Sequence, residues 1–594
     1  MEGKINSEKI RQEFLNFFLQ RGHQLVASHP LVSPDRSVLL TTAGMQPFKP
    51  CFLGEKPCFL GEECPYSPRV VSCQKCFRTS DIKEVGDDYH LTFFEMLGNF
   101  SFGDYSRQEA VHWALELLVN GYHLDKEKLA FTFFEGDEEV PTDQETKKII
   151  LEEGILQKSI IALGREDNFW GPVGKSGPCG PTMEIYYEMS AEHHSPRSAK
   201  DLNQRFVEIW NLVFDQYFQN EQGQLSALPK LGIDTGLGLE RLTMVLEKKS
   251  SVFETDLLAG LLKLVHEKGK TNFPNHSCSS RIVVDHLRGL VFLAIDGIRP
   301  SNLGRGYVLR SIIRRLIENG AKLGLGPEDW PGLIQWLLEK YSPIYPLLKG
   351  QEKLIATLIN QEEGRLKKAF QKGWKELEKL GKKSLSGEDV FRLYTTYGLS
   401  SEEIKKAGYQ FQSTEFQQAV KKHQKVSRQG QAKKFGGHGI VDAEQEKNKV
   451  RLHTATHLLQ AALRDILGSD IRQQGSDINN ERLRFDFSFV RALTPGEIKS
   501  VEKWVNQRIK NNLKIRKEIL NLEQAKRSSL FLEKAKYPNT VSVYTIFSPA
   551  SKKIFSKEIC AGPHVSHLSE LGSFRIIQES SCAAGIRRIK AILD

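Results

Sequence analysis

From Ser7 to Leu19, the apolar residues Ile10, Phe14, Phe17 and Phe18 recur at helical spacing with charges between them, which predicts an amphipathic opening helix. The stretch to about Ser250 mixes short apolar runs with glycine and proline punctuation, as at Leu60-Gly61, Gly98-Asn99 and Gly177-Pro178, and predicts an α+β domain rich in strands and loops. From about Val252 to Gly430 the period becomes helical, in long Leu, Lys and Glu segments such as Lys353 to Lys379. Lys425 to Lys449 is polar and basic, and Phe435-Gly436-Gly437-His438-Gly439 interrupts it as a linker or exposed loop would. Beyond it come a helix near Val450, a strand-like Leu483-Arg484-Phe485-Asp486-Phe487, a helix over Pro495 to Asn511, and strand-like runs around Val541 and Phe574. The pattern predicts a multidomain α+β protein with a mixed domain over 1–247, an all-helical domain over 248–430, a linker over 431–449 and a second α+β domain over 450–594, with no internal repeat.

Composition changes this picture little. A chain of 594 residues, 40% hydrophobic and 26% charged, has apolar material for several cores. A net charge of +10 suits an anionic partner, although a merely basic surface fits the charge equally well. No apolar run approaches the roughly 18 residues needed to span a bilayer, and Met1-Glu2-Gly3-Lys4 opens no signal peptide, so a cytoplasmic location and no membrane partner are expected. Nine cysteines, unevenly spread, argue against a disulfide framework and leave metal ligation or free thiols.

Candidate chemistry sits in separated segments. The first is Gly22-His23-Gln24-Leu25-Val26-Ala27-Ser28-His29-Pro30-Leu31. The second is Cys76-Phe77-Arg78, resuming as His90-Leu91-Thr92-Phe93-Phe94-Glu95-Met96-Leu97-Gly98-Asn99-Phe100. The third is Asp234-Thr235-Gly236-Leu237-Gly238-Leu239-Glu240-Arg241-Leu242. Together they resemble motifs 1, 2 and 3 of the class II aminoacyl-tRNA synthetases, and the second and third are similar to those of the alanyl-tRNA synthetase family. Adenylate formation brings a carboxylate against the α-phosphate of ATP, and planar guanidinium forks serve two such anions better than lysines do. The resemblance implies an antiparallel-sheet catalytic domain in which Arg78 holds the α-phosphate and substrate carboxylate, and Arg241 the γ-phosphate of ATP with its Mg2+. It further implies that Phe94, paired with His90, stacks on adenine, and that Gly236 and Gly238 let backbone approach the nucleotide.

Gly171-Pro172-Val173-Gly174-Lys175-Ser176 looks like a phosphate loop but fails the spacing, since position 169 is Phe where a glycine is required. That run and Glu208-Ile209-Trp210-Asn211-Leu212-Val213-Phe214 resemble the family's alanine pocket. There Asp234 is the implied anion for the substrate ammonium, and Trp170, Asn211 and Val213 are the walls. A pocket for a methyl group cannot exclude glycine and rejects serine weakly, so hydrolytic editing is needed on physical grounds.

Asn302, Arg305, Arg310 and Arg314 lie in one helical region, where a solvated basic face is the bland reading. The resemblance implies tRNA recognition there, with Asn302 reading the G·U wobble pair of tRNA(Ala) in the RNA minor groove. Leu393-Tyr394-Thr395 departs from the family, which has Asp at the position of Thr395. His453-Thr454-Ala455-Thr456-His457 puts two imidazoles on one helix face, and with Cys560-Ala561-Gly562-Pro563-His564 supplies the nitrogen and sulfur ligands of a Zn2+ site. Both segments resemble the editing domain of alanyl-tRNA deacylases, with Thr456 and Gln473 at editing positions; Ala561 and Pro563 depart from the family spelling. Cys51, Cys58, Cys64, Cys73 and Cys76 read as reduced thiols ahead of a second metal site.

Against the resemblance, a β-barrel module between the helical and editing domains is missing. No coiled-coil and globular C-terminal module follows Asp594, from which a monomer is expected. The implied activity is alanine activation with ATP, transfer to tRNA and hydrolysis of mischarged Ser- or Gly-tRNA. A non-catalytic scaffold or an editing-only deacylase is the rival, and neither would need the clamps Arg78, Asp234 and Arg241.

Overall fold

The computed structural model describes residues 5–33, 38–53, 66–174, 176–190, 196, 198–270, 277–302, 304–381, 384–419, 443–478, 482–530, 540–560, 563–583 and 585–594. Cys58, Cys64, Lys175, the run Phe435 to Gly439 and Ala561 lie outside the described residues. The chain divides into two compact units, Met1–Lys379 and Leu380–Asp594.

The first unit is organised by a nine-stranded sheet. Its strands are β1 (Gln24–Leu25), β2 (Arg69–Phe77), β3 (Phe93–Phe102), β4 (Leu129–Phe134), β5 (Ile160–Leu163), β6 (Phe169–Trp170), β7 (Gly177–Glu188), β8 (Phe206–Gln219) and β9 (Leu225–Gly238). The order is β1-β2-β3-β9-β8-β7-β4-β5, with β6 paired to β7. Only the outer pairs β1–β2 and β4–β5 are parallel, and every interior pairing is antiparallel. β7 is buried at nearly every position instead of alternating, as a central strand covered on both faces must be. β9 begins half-exposed and turns buried from Gly232 onward, so its second half carries the third motif into the interior.

The opening helix Ser7–Leu19 is capped by Asn6, whose side chain accepts from Lys9 N–H, and it buries Ile10, Phe14 and Phe18. Phe17, read as part of the same stripe, is only half-buried and is covered by the Arg21 guanidinium at 3.5 Å.

The unit boundary falls at 379/380 and not at 247/248, where the period of the sequence changes. The helices after Ser250 share one apolar core with the sheet, running from Ile10 to Ile359. Phe292, on helix Ser277–Ile295, stacks on Phe93 of β3 at 4.0 Å, and Arg288 from that helix pairs in the interior with Glu240. A helix that seals a sheet face cannot be a domain apart from it.

The second unit holds a four-stranded antiparallel sheet, ordered β10 (Gln473–Ile478), β11 (Leu483–Ser488), β16 (Ile586–Leu593) and β15 (Phe574–Ala583). A three-stranded one is built from β12 (Lys514–Asn521), β13 (Thr540–Phe547) and β14 (Ile554–Ile559). Helices Ala443–Leu467 and Pro495–Lys510 contribute Leu452, Leu459, Val501 and Val505 to its core, beside Phe485 and Ile589 from the larger sheet. Among the described residues no helix is long and apolar enough to cross a membrane.

Candidate active site and candidate metal centre

In the first unit the sheet register assembles a cavity of about 300 Å³, a size suited to a small ligand. On adjacent antiparallel strands, Asn211 and Val213 of β8 stand opposite Gly236 and Asp234 of β9, because residues two apart share a face. Trp170 enters from β6, and Cys76↔Phe94 pairing brings Phe94 beside the end of β2, from which Arg78 projects. Arg78, His90, Phe94, Trp170, Asn211, Val213, Asp234, Gly236, Gly238 and Arg241 all line this one cavity. They come from segments spread over more than a quarter of the chain, and the fold brings together every residue anticipated for it.

The Arg78 guanidinium lies 5.0 Å from the centre of the Phe94 ring and donates from Nε to Thr42 O at 3.3 Å. Arg241 pairs with Glu208 at 2.9 Å. His90 is held by Asp87 through Nδ1. Gly236 also makes room for Met96: a Cβ there would meet the Met96 sulfur at 2.9 Å, so the glycine admits Met96 into the cavity wall.

The electrostatics are dominated by buried carboxylates. Burial pushes Asp234 up to about 8. Asp215, fully buried with neither oxygen hydrogen-bonded, is raised by burial and by Asp234. Burial first, and the like charge of Glu208 second, push Glu184 up to about 8. Glu184 is held by Tyr186 at 2.7 Å and by Asn211 Nδ2 at 3.0 Å, which leaves Asn211 Oδ1 buried without a partner. The cavity is poised to accept a cation at Asp234 and anions at its two guanidinium groups. Sequence reasoning missed Glu184, Glu208 and Asp215, which the strand register alone reveals.

The basic residues on helix Gly304–Lys322 are less free than their spacing suggests. Arg310 and Arg314 reach the fully buried Glu362 at 3.1 and 3.7 Å, and Arg365 pairs with the same carboxylate. Arg310 also donates to the side-chain oxygen of exposed Asn302. Arg305 donates to the carbonyls of Leu39 and Ser33. Thr395, in the other unit, is exposed, and its hydroxyl donates to Phe391 O at 2.8 Å.

The second unit carries the metal-type cluster. One ligand atom from each of His453, His457, Cys560 and His564 lies within 4.8 Å of the others. The Nδ1 atoms are taken by outer partners: His453 on Pro563 O at 3.0 Å, His457 on Glu558 at 2.6 Å and His564 on the Thr454 hydroxyl at 3.2 Å. That leaves the Nε2 edges inward, with His453 Nε2 at 3.3 Å from Cys560 Sγ and Nε2 of His457 and His564 buried without a partner. Burial opposes ionising the Cys560 thiol, but the three facing imidazoles hold it down at about 3. Burial pushes His564 down to about 4; at His457 burial also lowers, but Glu558 and Cys560 together raise the ring to about 10. A thiolate and orphaned imidazole edges, each ring oriented from behind, fit a tetrahedral zinc. Thr456 donates to Leu452 O at 2.9 Å within its own helix, and Gln473 donates to Ser476 at 3.0 Å, so both are committed to local bonds. Thr454 and Glu558 are the functional candidates the sequence reading missed here. Cys73 and Cys76 sit on β2 outside any such cluster among the described residues.

The scaffold around the first cavity is that of a class II aminoacyl-tRNA synthetase: residues 9–467 match the family described as tRNA synthetases class II (A), and the chain belongs to it. Residues 541–590 match the threonyl and alanyl tRNA synthetase second additional domain. Within the class the chain belongs to the alanyl-tRNA synthetases. It is 40% identical over 604 residues to the alanine–tRNA ligase of Borrelia hermsii, covering 99% of both chains. To that of Treponema pallidum it is 40% identical over 613 residues, covering 99% of this chain and 98% of the relative. The Thermotoga maritima alanine–tRNA ligase is 34% identical over 712 residues, covering 99% of this chain and 80% of the relative. The first two alignments run nearly end to end in both chains, while the last, at 712 positions, is opened by insertions in the relative.

Proposed function

We propose that this chain activates alanine with ATP, transfers it to tRNA(Ala) and hydrolyses Ser- or Gly-tRNA(Ala). The observation that carries the reading is the convergence of Arg78, Asp234 and Arg241 on one cavity with Phe94 and Trp170. Alanine enters with its ammonium on Asp234, whose burial leaves the carboxylate in want of a cation, and its methyl group against Trp170 and Val213. ATP enters as its Mg2+ complex. Arg78 bridges the alanine carboxylate and the α-phosphate, neutralising two anions that otherwise repel, and Arg241 anchors the γ-phosphate once it exchanges Glu208 for the nucleotide. The alanine carboxylate oxygen attacks the α-phosphorus, pyrophosphate departs with the electrons of the broken bond, and the tRNA 3′-terminal hydroxyl then attacks the mixed anhydride and releases AMP.

His453, His457, Cys560 and His564 would hold Zn2+ in the second unit, where it would supply Lewis acidity and a fixed positive charge for ester hydrolysis. Thr454, Glu558 and the Pro563 carbonyl fix the ring orientations that make the ligand set. Asn302 and Arg305 contact the acceptor stem, and Arg310 positions Asn302 from behind.

Alanine-dependent ATP–pyrophosphate exchange, run beside hydrolysis of seryl-tRNA(Ala), tests both halves. Exchange with alanine and hydrolysis of the mischarged ester are expected. Absence of exchange overturns the synthetase reading, and retained hydrolysis would then leave an editing-only deacylase.

A further inference from the structure

A second cavity, of about 240 Å³, lies in the Leu380–Asp594 unit away from the four metal-type ligands themselves. Three cations line it: Arg464 from helix Ala443–Leu467, Arg508 from helix Pro495–Lys510 and Lys553 ahead of β14. None of the three makes an ion pair with a carboxylate among the described residues. The one carboxylate in the lining, Asp465, is taken by the Trp504 indole N–H at 2.6 Å. Arg464 and Arg508 instead donate to neutral oxygens, Ile471 O at 2.8 Å and Trp504 O at 3.3 Å. Burial, and for Arg464 also Arg472, pushes both guanidinium groups below their usual range, against a smaller opposing pull from Glu558 and Asp470 on Arg464 and from Asp465 on Arg508.

Aromatic rings share the lining. Arg508 lies 3.9 Å over Trp504 and 5.3 Å from the centre of Phe555, and Lys553 lies 5.4 Å from the same Phe555 ring. Trp504 is nearly buried, whereas Phe555 is half-exposed, with both cations over its ring and Trp504 edge-on to it. Cations that track a phosphate backbone beside a ring on which a base can stack are the physical signature of single-stranded nucleic-acid binding. A free inorganic anion would have no use for the ring. The inner wall is one short relay from the metal-type cluster: Ser556 donates to Glu558 at 2.8 Å, and Glu558 holds His457.

We infer that this cavity is a nucleotide subsite for a single-stranded segment of RNA, with Arg464, Arg508 and Lys553 on phosphate and a base stacked on Phe555. It rests on the reading of this chain as one that handles tRNA and adds a second point of grip within the hydrolytic unit. The subsite takes backbone and an unpaired base with little sequence preference, because every base has a face and none of the lining cations reads an edge.

The test uses the full chain and a fluorescein-labelled RNA hairpin ending in an unpaired ACCA, with affinity followed by anisotropy against salt. The paired variant Arg508→Gln/Lys553→Gln keeps the apolar stems and removes two charges. It should lower the slope of log affinity against log salt by about 1.4, since each phosphate contact on a single strand contributes about 0.7. Phe555→Ala should weaken binding about tenfold at unchanged slope, with Phe555→Tyr restoring it. Lys503→Gln, exposed on the same helix outside the cavity, is the control and should change neither quantity. An equal loss from Lys503→Gln, or full retention of slope and affinity in the paired variant, overturns the inference. So does AMP binding that is lost in the paired variant yet is not displaced by the hairpin, which would assign the cavity to a free nucleotide. Because the readout is binding, a chain that fails to hydrolyse seryl-tRNA would refute the editing assignment and leave this result to stand or fall alone.

Discussion

The cavity of the first unit and the cluster of the second are both built around buried polar atoms that no protein group satisfies, yet the two are supported differently. In the cavity the orphan is an oxygen, Asn211 Oδ1, and the lining carboxyls Asp234 and Glu184 are both pushed up to about 8, chiefly by burial. In the cluster the orphans are the Nε2 edges of His457 and His564, and each ring is fixed from behind by Glu558 or Thr454. The carboxyls of the cavity keep a switchable charge, whereas in the cluster the rings are oriented beforehand and the Cys560 thiol is held as a thiolate.

The comparison breaks most sharply on the guanidinium clamp. Arg78→Ala should lower alanine-dependent ATP–pyrophosphate exchange on the order of 10²- to 10³-fold, the cost of losing one preorganised donor to developing charge. Hydrolysis of seryl-tRNA(Ala) should stay within about twofold, because Arg78 belongs to the other compact unit. A parallel loss of hydrolysis would refute the division of labour. The converse variant is Cys560→Ala, which removes the thiolate from the ligand set. It should cost at least about tenfold in bound zinc per chain, measured by elemental analysis, with exchange preserved.

A finer test of bracing is Thr454→Val, which leaves all four ligands in place but withdraws the hydroxyl from His564 Nδ1 and from Val565 N–H. Zinc affinity, measured by competition with a chromophoric chelator, should fall about 10- to 100-fold. An unchanged affinity would mean that ring orientation is set by packing alone.

The switchable charge of the cavity makes a prediction with a definite sign. Asp234 stands at about 8 before alanine binds, so below that pH an incoming ammonium must displace a proton. Apparent affinity for alanine should rise up to about tenfold per pH unit as pH increases toward 8, with up to one proton released per alanine bound. Calorimetry in buffers of differing ionisation enthalpy counts that proton, and Asp234→Asn should abolish both effects along with most of the affinity. The same raised value bears on folding: stability from keeping this carboxyl neutral is fully present below about 4, its unfolded value, and is lost as pH rises through about 8.

Much of this was legible in the residue order, for identifiable reasons. Motifs that need a residue type at a fixed short spacing, such as His453 with His457 or Gly236 with Gly238, announce themselves locally. Glu184, Glu208 and Asp215 did not, because each sits in an apolar strand run where only pairing with the next strand reveals what its carboxylate faces. Thr454 lies between two of the metal-type histidines and was passed over because its partner is more than a hundred residues away. The pairing on the basic helix was hidden for a similar reason: Glu362, which Arg310 and Arg314 share, belongs to another helix. The division at 247/248 followed a true change of period, but period reports the element formed and not the core it joins.

The smallest expected effect concerns Thr395, where the family pattern places an aspartate. Its hydroxyl is already spent on Phe391 O, one turn back along its own helical segment, and a hydroxyl so bonded retains only a weak acceptor for an outside group. Thr395→Val removes that hydroxyl at nearly constant volume and should change charging of tRNA(Ala) bearing the G·U pair by no more than about twofold in kcat/KM. Asn302→Ala, by contrast, removes an exposed amide that Arg310 positions, and should cost about tenfold on the wobble-bearing tRNA and little on one lacking the pair. A large loss from Thr395→Val confined to the wobble-bearing tRNA would show that the threonine turns outward on binding, taking over from a charge what a hydroxyl can still do.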